Sequence, residues 1–375
     1  MRLLGIAITI GLALGAAAPR AEPGLDNCVD QFPGGAIEHA PTRAGSGPAD
    51  PATGNVHICE RSGETSFFAL EYAPERLAPI WVAYRLSDAF GPDRCGSVPR
   101  DHMRCYFGRA DVQTCLASDR KPGDPFHIEA VLVELSLPHL RTDAFSGTQH
   151  DRGHMAPNNA FSWHLCGAYK TFTMANMAAQ RDHLNRVTWE PLEAQVLHWG
   201  VALGPIYVVT GPIWTRFPEE EFDIFGLGQV DRALMAQPDE GLRPGDSPHI
   251  VRPTGFFTVV YRPASEDEDE EAVGFLVPHT HQRGLSFWSF IATVSVVEQS
   301  SELEFGFDQG LKRGGRQQFW LDRRMPRGWS VRAPESECTE GYRAEGWLPE
   351  LTRQERLVLC AGSAFEPPLA PDDDE

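Results

Sequence analysis

Lysine is nearly missing from this chain. Of its 33 basic residues only Lys121, Lys170 and Lys312 are lysines; the rest are arginine. Acidic residues exceed basic ones and leave a formal net charge of −19, so capture of a polyanion by a long-range basic field is excluded. Any phosphate affinity must be local, supplied by a cation and a few arginines. No cysteine falls in a CxxC pair, which argues against a zinc ribbon or a thioredoxin-type site. No internal repeat recurs. Beyond the first eighteen residues no run approaches the length of a membrane span, so no stable membrane association is expected.

The single long apolar run, Leu3 to Ala18, follows Met1-Arg2 and precedes Pro19-Arg20-Ala21. A positive start, an apolar core and small residues ahead of a polar region describe a secretory signal peptide. It is assigned to residues 1–21, with an uncleaved anchor as the alternative. Eight cysteines, an even number, suit export to an oxidising compartment, periplasmic or extracellular. Their spacing suggests Cys28 with Cys59 and Cys338 with Cys360, and leaves Cys95, Cys105, Cys115 and Cys166 open. Cys166 is read as a structural thiol or half of a disulfide rather than a nucleophile.

Residues 22–64, rich in Gly, Pro and Ala at their start, read as a disulfide-tied lead-in. Residues 65–310 read as one catalytic domain, 311–362 as an extension bearing the last two cysteines, and 363–375 as a disordered acidic tail. SFFALEYAP, PIWVAYRLS, GPIYVVTGPIW, TGFFTVVYRP and AVGFLVPHT are short aromatic and β-branched runs that predict strands. The last two predict a hairpin with a solvated acidic tip, EDEDEE. FWSFIATVSVVEQSSELEF predicts one more strand and a short helix. The fold class is α+β, mixed, with a mainly antiparallel sheet core and flanking helices in the middle of the chain.

Chemistry concentrates between Asp151 and Glu193. His154 closes the tetrapeptide DRGH, and a histidine with an ordinary pKa of about 6.5 can take a proton from water. The neighbouring His150, His164 and His183 are read as ordinary core or surface histidines. Asn185, Trp189 and Glu193 recur at i, i+4 and i+8, one face of a helix. Trp189 is the core anchor of that face, but core packing does not call for Asn and Glu beside it. A hard cation such as Mg²⁺ accepts neutral oxygen ligands and keeps several waters, so Asn185 suffices if substrate phosphate completes its shell. Pro191 tolerates only a first helical turn, so the regular helix is expected to begin near Thr188 with Asn185 at its mouth.

DRGHMAP, TFTMANMAAQ and LNRVTWEPLE together resemble the DNA/RNA non-specific endonucleases, the ββα-metal or His-Me finger group. The flanking runs PIWVAYRLS, YVVTGPIW and FFTVVYRP are similar to that family's strands. The resemblance implies a ββα-metal finger with His154 as general base and Asn185 as direct ligand of Mg²⁺ (or Mn²⁺). It implies that Glu193 holds water of that cation and that Asn176 and Gln180 are supporting polar positions. Asp151 and Arg152 complete the signature, with Arg152 counted in the catalytic set although its expected work, like that of Asp151, is fixing the finger. An upstream arginine should contact phosphate: Arg120 is the candidate and Arg141 the runner-up. Two departures stand out, Ala175 for the family serine and Ala179 for its proline, which put the stiffness of the strand end in doubt. The implied activity is cation-dependent hydrolysis of DNA and RNA, without sugar or sequence preference, to 5′-phosphate ends. Two rivals remain: an exported phosphodiesterase of small nucleotide diesters, and a catalytically silent binding protein on the same fold.

Overall fold

A computed structural model describes residues 24–43, 54–86, 125–161, 165–214, 250–266, 268–279, 286–313 and 317–324. Its strands are β1 (Thr42–Arg43), β2 (Val56–Ser62), β3 (Thr65–Ala73), β4 (Ala78–Leu86), β5 (His150–His154) and β6 (Met177–Arg181). They continue with β7 (Ile206–Ile213), β8 (Gly255–Arg262), β9 (Glu271–Pro278), β10 (Ile291–Ala292) and β11 (Leu303–Glu304). The helices are α1 (Ala130–Glu134), α2 (Asn158–Phe161), α3 (Leu165–Lys170), α4 (Glu190–Ala202), α5 (Val294–Ser301), α6 (Gln309–Lys312) and α7 (Gln317–Leu321).

Among the described residues seven strands form an antiparallel sheet in the order β10-β9-β8-β7-β4-β3-β2, while β5 pairs only with β6 and β1 only with β11. The predicted strands read as nearly unbroken apolar runs because both sheet faces are covered. Val82, Tyr84, Phe256, Val260, Phe275 and Val277 point into one core, which includes Trp189 and Trp199. The alternate positions Trp81, Ala83, Phe257, Val259 and Leu276 point into a second core with Phe32, Val294 and Val297. The period of two along each strand thus sorts side chains between two layers. Gly200 lets α4 lie close on the sheet, since a Cβ there would stand 2.7 Å from Leu86 Cβ.

The architecture is α+β, as the patterning requires. The sheet nevertheless begins earlier than expected, at Val56 instead of Thr65, because VHICERS alternates buried and partly exposed positions as an edge strand does. Cys59 on that strand bonds Cys28, with Cα atoms 5.6 Å apart. Cys166 is also disulfide-bonded; Cys338 and Cys360 lie outside the described residues. The β8–β9 hairpin forms as predicted, but its acidic tip is not merely solvated. Tyr261 donates to Glu270 at 2.7 Å, and both Arg262 and Arg323 pair with Glu268 at 3.2 Å. The stretch after Ser286 yields a 3₁₀ turn, two-residue strands and α5 rather than one full strand. Among the described residues no helix is long and apolar enough to cross a membrane.

Candidate active site

β5 and β6 form a two-stranded ribbon in unbroken register, with Asp151 opposite Gln180 and His154 opposite Met177. Ala175 and Ala179, both buried, interrupt nothing. Gly153 is required here: a Cβ at that position would lie 2.2 Å from Oε1 of the buried Gln180, whose side chain crosses it. The ribbon's far end is tied to the main sheet by His279, whose Nε2 accepts from Arg181 N at 2.9 Å and whose Nδ1 reaches the Pro253 carbonyl at 2.8 Å. Burial takes the His279 pKa down to about 3, so this histidine is a neutral strut.

Successive side chains of β5 leave the ribbon toward different neighbours. His154 is flanked by Phe126 and Phe172, with ring centroids at 5.8 and 5.1 Å. Arg152 lies 3.5 Å over the Phe126 ring and donates to the Thr142 carbonyl at 3.0 Å, so its guanidinium is occupied in holding the segments on either side. Asp151 turns toward the helix. Its Oδ2 accepts from Asn185 Nδ2 at 3.0 Å and from Arg186 Nε at 2.9 Å, and its Oδ1 accepts from Arg186 at 2.7 Å.

Asn185 lies ahead of the regular helix, as expected, but in a wider turn that the sequence reading did not foresee. The regular helix starts at Glu190, and residues Leu184–Trp189 form a wider π-turn continuous with it, closed by Glu190 N donating to the Asn185 carbonyl. A π-turn moves the Pro191 ring off the preceding carbonyls, so the chain passes from Asn185 into α4 without a break. Trp189 is 1% exposed and packs on Phe256 with centroids at 5.5 Å, the anchor its spacing predicted. Glu193 lies one turn into α4. Burial pushes its carboxyl well above the usual range, the Glu190 carboxylate adds to this, and the Trp189 indole opposes it. Tyr84 lies close enough for the Glu193 charge to reinforce the upward shift that burial gives its phenol.

The support beneath the ribbon is a buried charged group. Lys170 Nζ pairs with Glu60 at 3.0 Å, and Thr173 Oγ1 donates to Glu129 Oε2 at 3.2 Å. Burial and the neighbouring Glu129 raise the Glu60 pKa, while Glu129 is held low by Lys170 against its own burial. Thr173 also caps the 3₁₀ turn Met174–Asn176 that leads into β6. Asn176, fully buried, accepts from Ala156 N at 2.8 Å and donates to the carbonyls of Ala156 and Thr171.

Of the expected site residues, Asp151, Arg152, His154, Asn176, Gln180, Asn185 and Glu193 are placed on the ribbon, its turn and the helix. Arg120 and His164 lie outside the described residues. Arg141 is exposed and pairs with Asp143 at 3.0 Å. Sequence reading passed over Arg186, Phe126 and His279. The motif reading gave Arg186 no role, and the other two act through contacts 28 and 98 residues distant in sequence.

Residues 57–313 match the family model of the DNA/RNA non-specific endonucleases. The chain belongs to that family. This nuclease, a hydrolase, is 25% identical to mitochondrial endonuclease G of Bos taurus over 322 residues, covering 81% of this chain and 94% of that protein. It is 24% identical to mitochondrial endonuclease G of Homo sapiens over 239 residues, covering 64% and 67% respectively. A chain of the solved EndoG/EndoGI complex aligns at 20% identity over 69% of the nuclease and 87% of that chain, with a TM-score of 0.43.

Proposed function

We propose that the nuclease is an exported, Mg²⁺-dependent endonuclease, with Mn²⁺ able to substitute, that hydrolyses DNA and RNA without sequence preference to 5′-phosphate ends. The observation that carries this reading is the hydrogen bond from Asn185 to Asp151, which joins two motifs 34 residues apart. It ties the general-base strand to the helix offering a cation ligand.

The residues present fit a hard cation. Asp151 occupies the Asn185 Nδ2, which leaves Oδ1, an atom suited to Mg²⁺, outside that bond. Burial and the Glu190 carboxylate both push the Glu193 carboxyl above its usual range, an imbalance that a cation would relieve. Among those residues no group of three His, Cys, Asp or Glu side chains forms a metal cluster, so a cation here relies on few protein ligands and on substrate.

In this reading Asn185 would hold the cation by Oδ1 and Glu193 would hold its water. A bound Mg²⁺ would supply positive charge to the phosphate and ease departure of the 3′-oxygen. His154 takes the proton from the attacking water, its ring kept in place by Phe126 and Phe172. Contacts to the sugar–phosphate backbone rather than to base edges give low sequence preference. Export is supported by the signal-like first 21 residues and by disulfide bonding at Cys28, Cys59 and Cys166.

Supercoiled plasmid incubated with Mg²⁺, with EDTA, and with a His154→Ala variant is the test. Cleavage abolished by EDTA and reduced at least about 10²-fold by His154→Ala is expected. Undiminished cleavage in both arms would overturn the mechanism. A preference for a chromogenic diester over plasmid would favour the small-diester rival, for which the −19 charge is better suited. N-terminal sequencing that finds the mature chain beginning near residues 18–22 would support export through a cleaved signal; an intact Met1 on protein recovered from the cytoplasm would overturn it.

A further inference from the structure

We infer that Arg186 is a positioning residue of the cation site: it holds the Asp151 carboxylate out of the cation's ligands and leaves it to aim the Asn185 amide. The inference rests on the proposed role of Asn185 and goes beyond it.

An exposed arginine ordinarily extends into water, and an isolated surface ion pair contributes little. Arg186 has a side chain 65% exposed, yet it makes a two-bond pair with Asp151, at 2.9 Å from Nε and 2.7 Å from the terminal nitrogen. The oxygen that accepts from Arg186 Nε is the one that accepts from Asn185 Nδ2. Asp151 is therefore a three-bond acceptor whose charge is already met. The planar guanidinium matches a carboxylate in a way that a lysine ammonium could not.

The reason for such a pair lies in what an unpaired Asp151 would do. A hard cation prefers anionic oxygen over an amide, and Asp151 stands one hydrogen bond from Asn185. Without Arg186 the carboxylate would enter the cation's shell, neutralise part of its charge and weaken its pull on phosphate. The Asn185 amide would also lose the acceptor that sets which of its ends faces the cation. Arg186 prevents both. The resemblance that names Asp151 and Asn185 assigns Arg186 nothing.

The experiment titrates the full chain with Mn²⁺, reading free ion by electron paramagnetic resonance, beside plasmid turnover and a melting curve for each variant. Arg186→Gln should bind Mn²⁺ about 3-fold more tightly or better while turning over about 10-fold more slowly. In an Asp151→Asn background the same substitution should leave Mn²⁺ affinity unchanged, since the freed carboxylate is gone. Mn²⁺ binding that is unchanged or weaker in Arg186→Gln overturns the inference. Asn185→Ala separates the two layers. If it binds Mn²⁺ as tightly as the parent, the cation reading fails and this inference with it. If it loses Mn²⁺ while Arg186→Gln matches the parent, only the role of Arg186 falls.

Discussion

Asn176 holds Ala156 by both ends of its amide, accepting from Ala156 N at 2.8 Å and donating to its carbonyl at 3.0 Å. Met155 N adds a bond to the Asn176 carbonyl at 3.1 Å. The chain leaving His154 is thus fixed over its next two residues by a side chain with no solvent exposure. In its proposed role as general base His154 must hold a water in line with the phosphate, and this pair would supply the stiffness directly behind it.

Asn176→Ala removes one acceptor and two donors from buried main-chain partners. Each of the three orphaned groups costs about 1–3 kcal/mol, so urea denaturation should show a loss of at least about 3 kcal/mol. Turnover should fall further than unfolding alone explains. A variant equally stable and active would mean that the turn after His154 holds itself.

Gly153→Ala drives a methyl group into the Gln180 side chain. Overpacking of this kind costs about 1–3 kcal/mol. Shortening the neighbour in Gly153→Ala/Gln180→Ala should recover part of that loss, measured as a coupling between the two sites in a double-mutant cycle. Strictly additive losses would show that the contact is unimportant.

Acid should loosen the ribbon through His279. Folded, its pKa is down to about 3; unfolded, it titrates near 6.5. Between those values the unfolded chain holds the extra proton, so stability falls as pH drops from about 6.5, by up to about 1.4 kcal/mol per unit. His279's contribution is complete above that value. His279→Gln should start less stable at pH 7 but show a shallower decline between pH 6 and 4. Parallel declines in the two proteins would exclude His279 as the source.

Lys170→Met strands two buried carboxyls, Glu60 and Glu129, without their cation. Breaking a buried pair from one side costs about 3–5 kcal/mol. Adding Glu60→Gln should restore some of that loss, because the remaining carboxyl then meets a neutral partner. A double variant less stable than Lys170→Met alone would contradict this account.

The sequence by itself determined the family and most strands. His154, Asn185 and Glu193 stand in a pattern whose residue types suit phosphodiester hydrolysis. Strands such as GFFTVVYRP declare themselves because burial on both faces leaves an apolar run that no loop would tolerate. The anchor Trp189 was legible for the same reason, through its helical spacing. What only the tertiary structure decided is how the site is held. The π-turn at Asn185 comes from backbone hydrogen bonds around Pro191, which side-chain periodicity does not encode. The pairings of Arg186 with Asp151 and of His279 with Arg181 depend on the separation and angle of polar atoms from segments far apart in the chain, and such directed bonds leave no periodic trace in sequence.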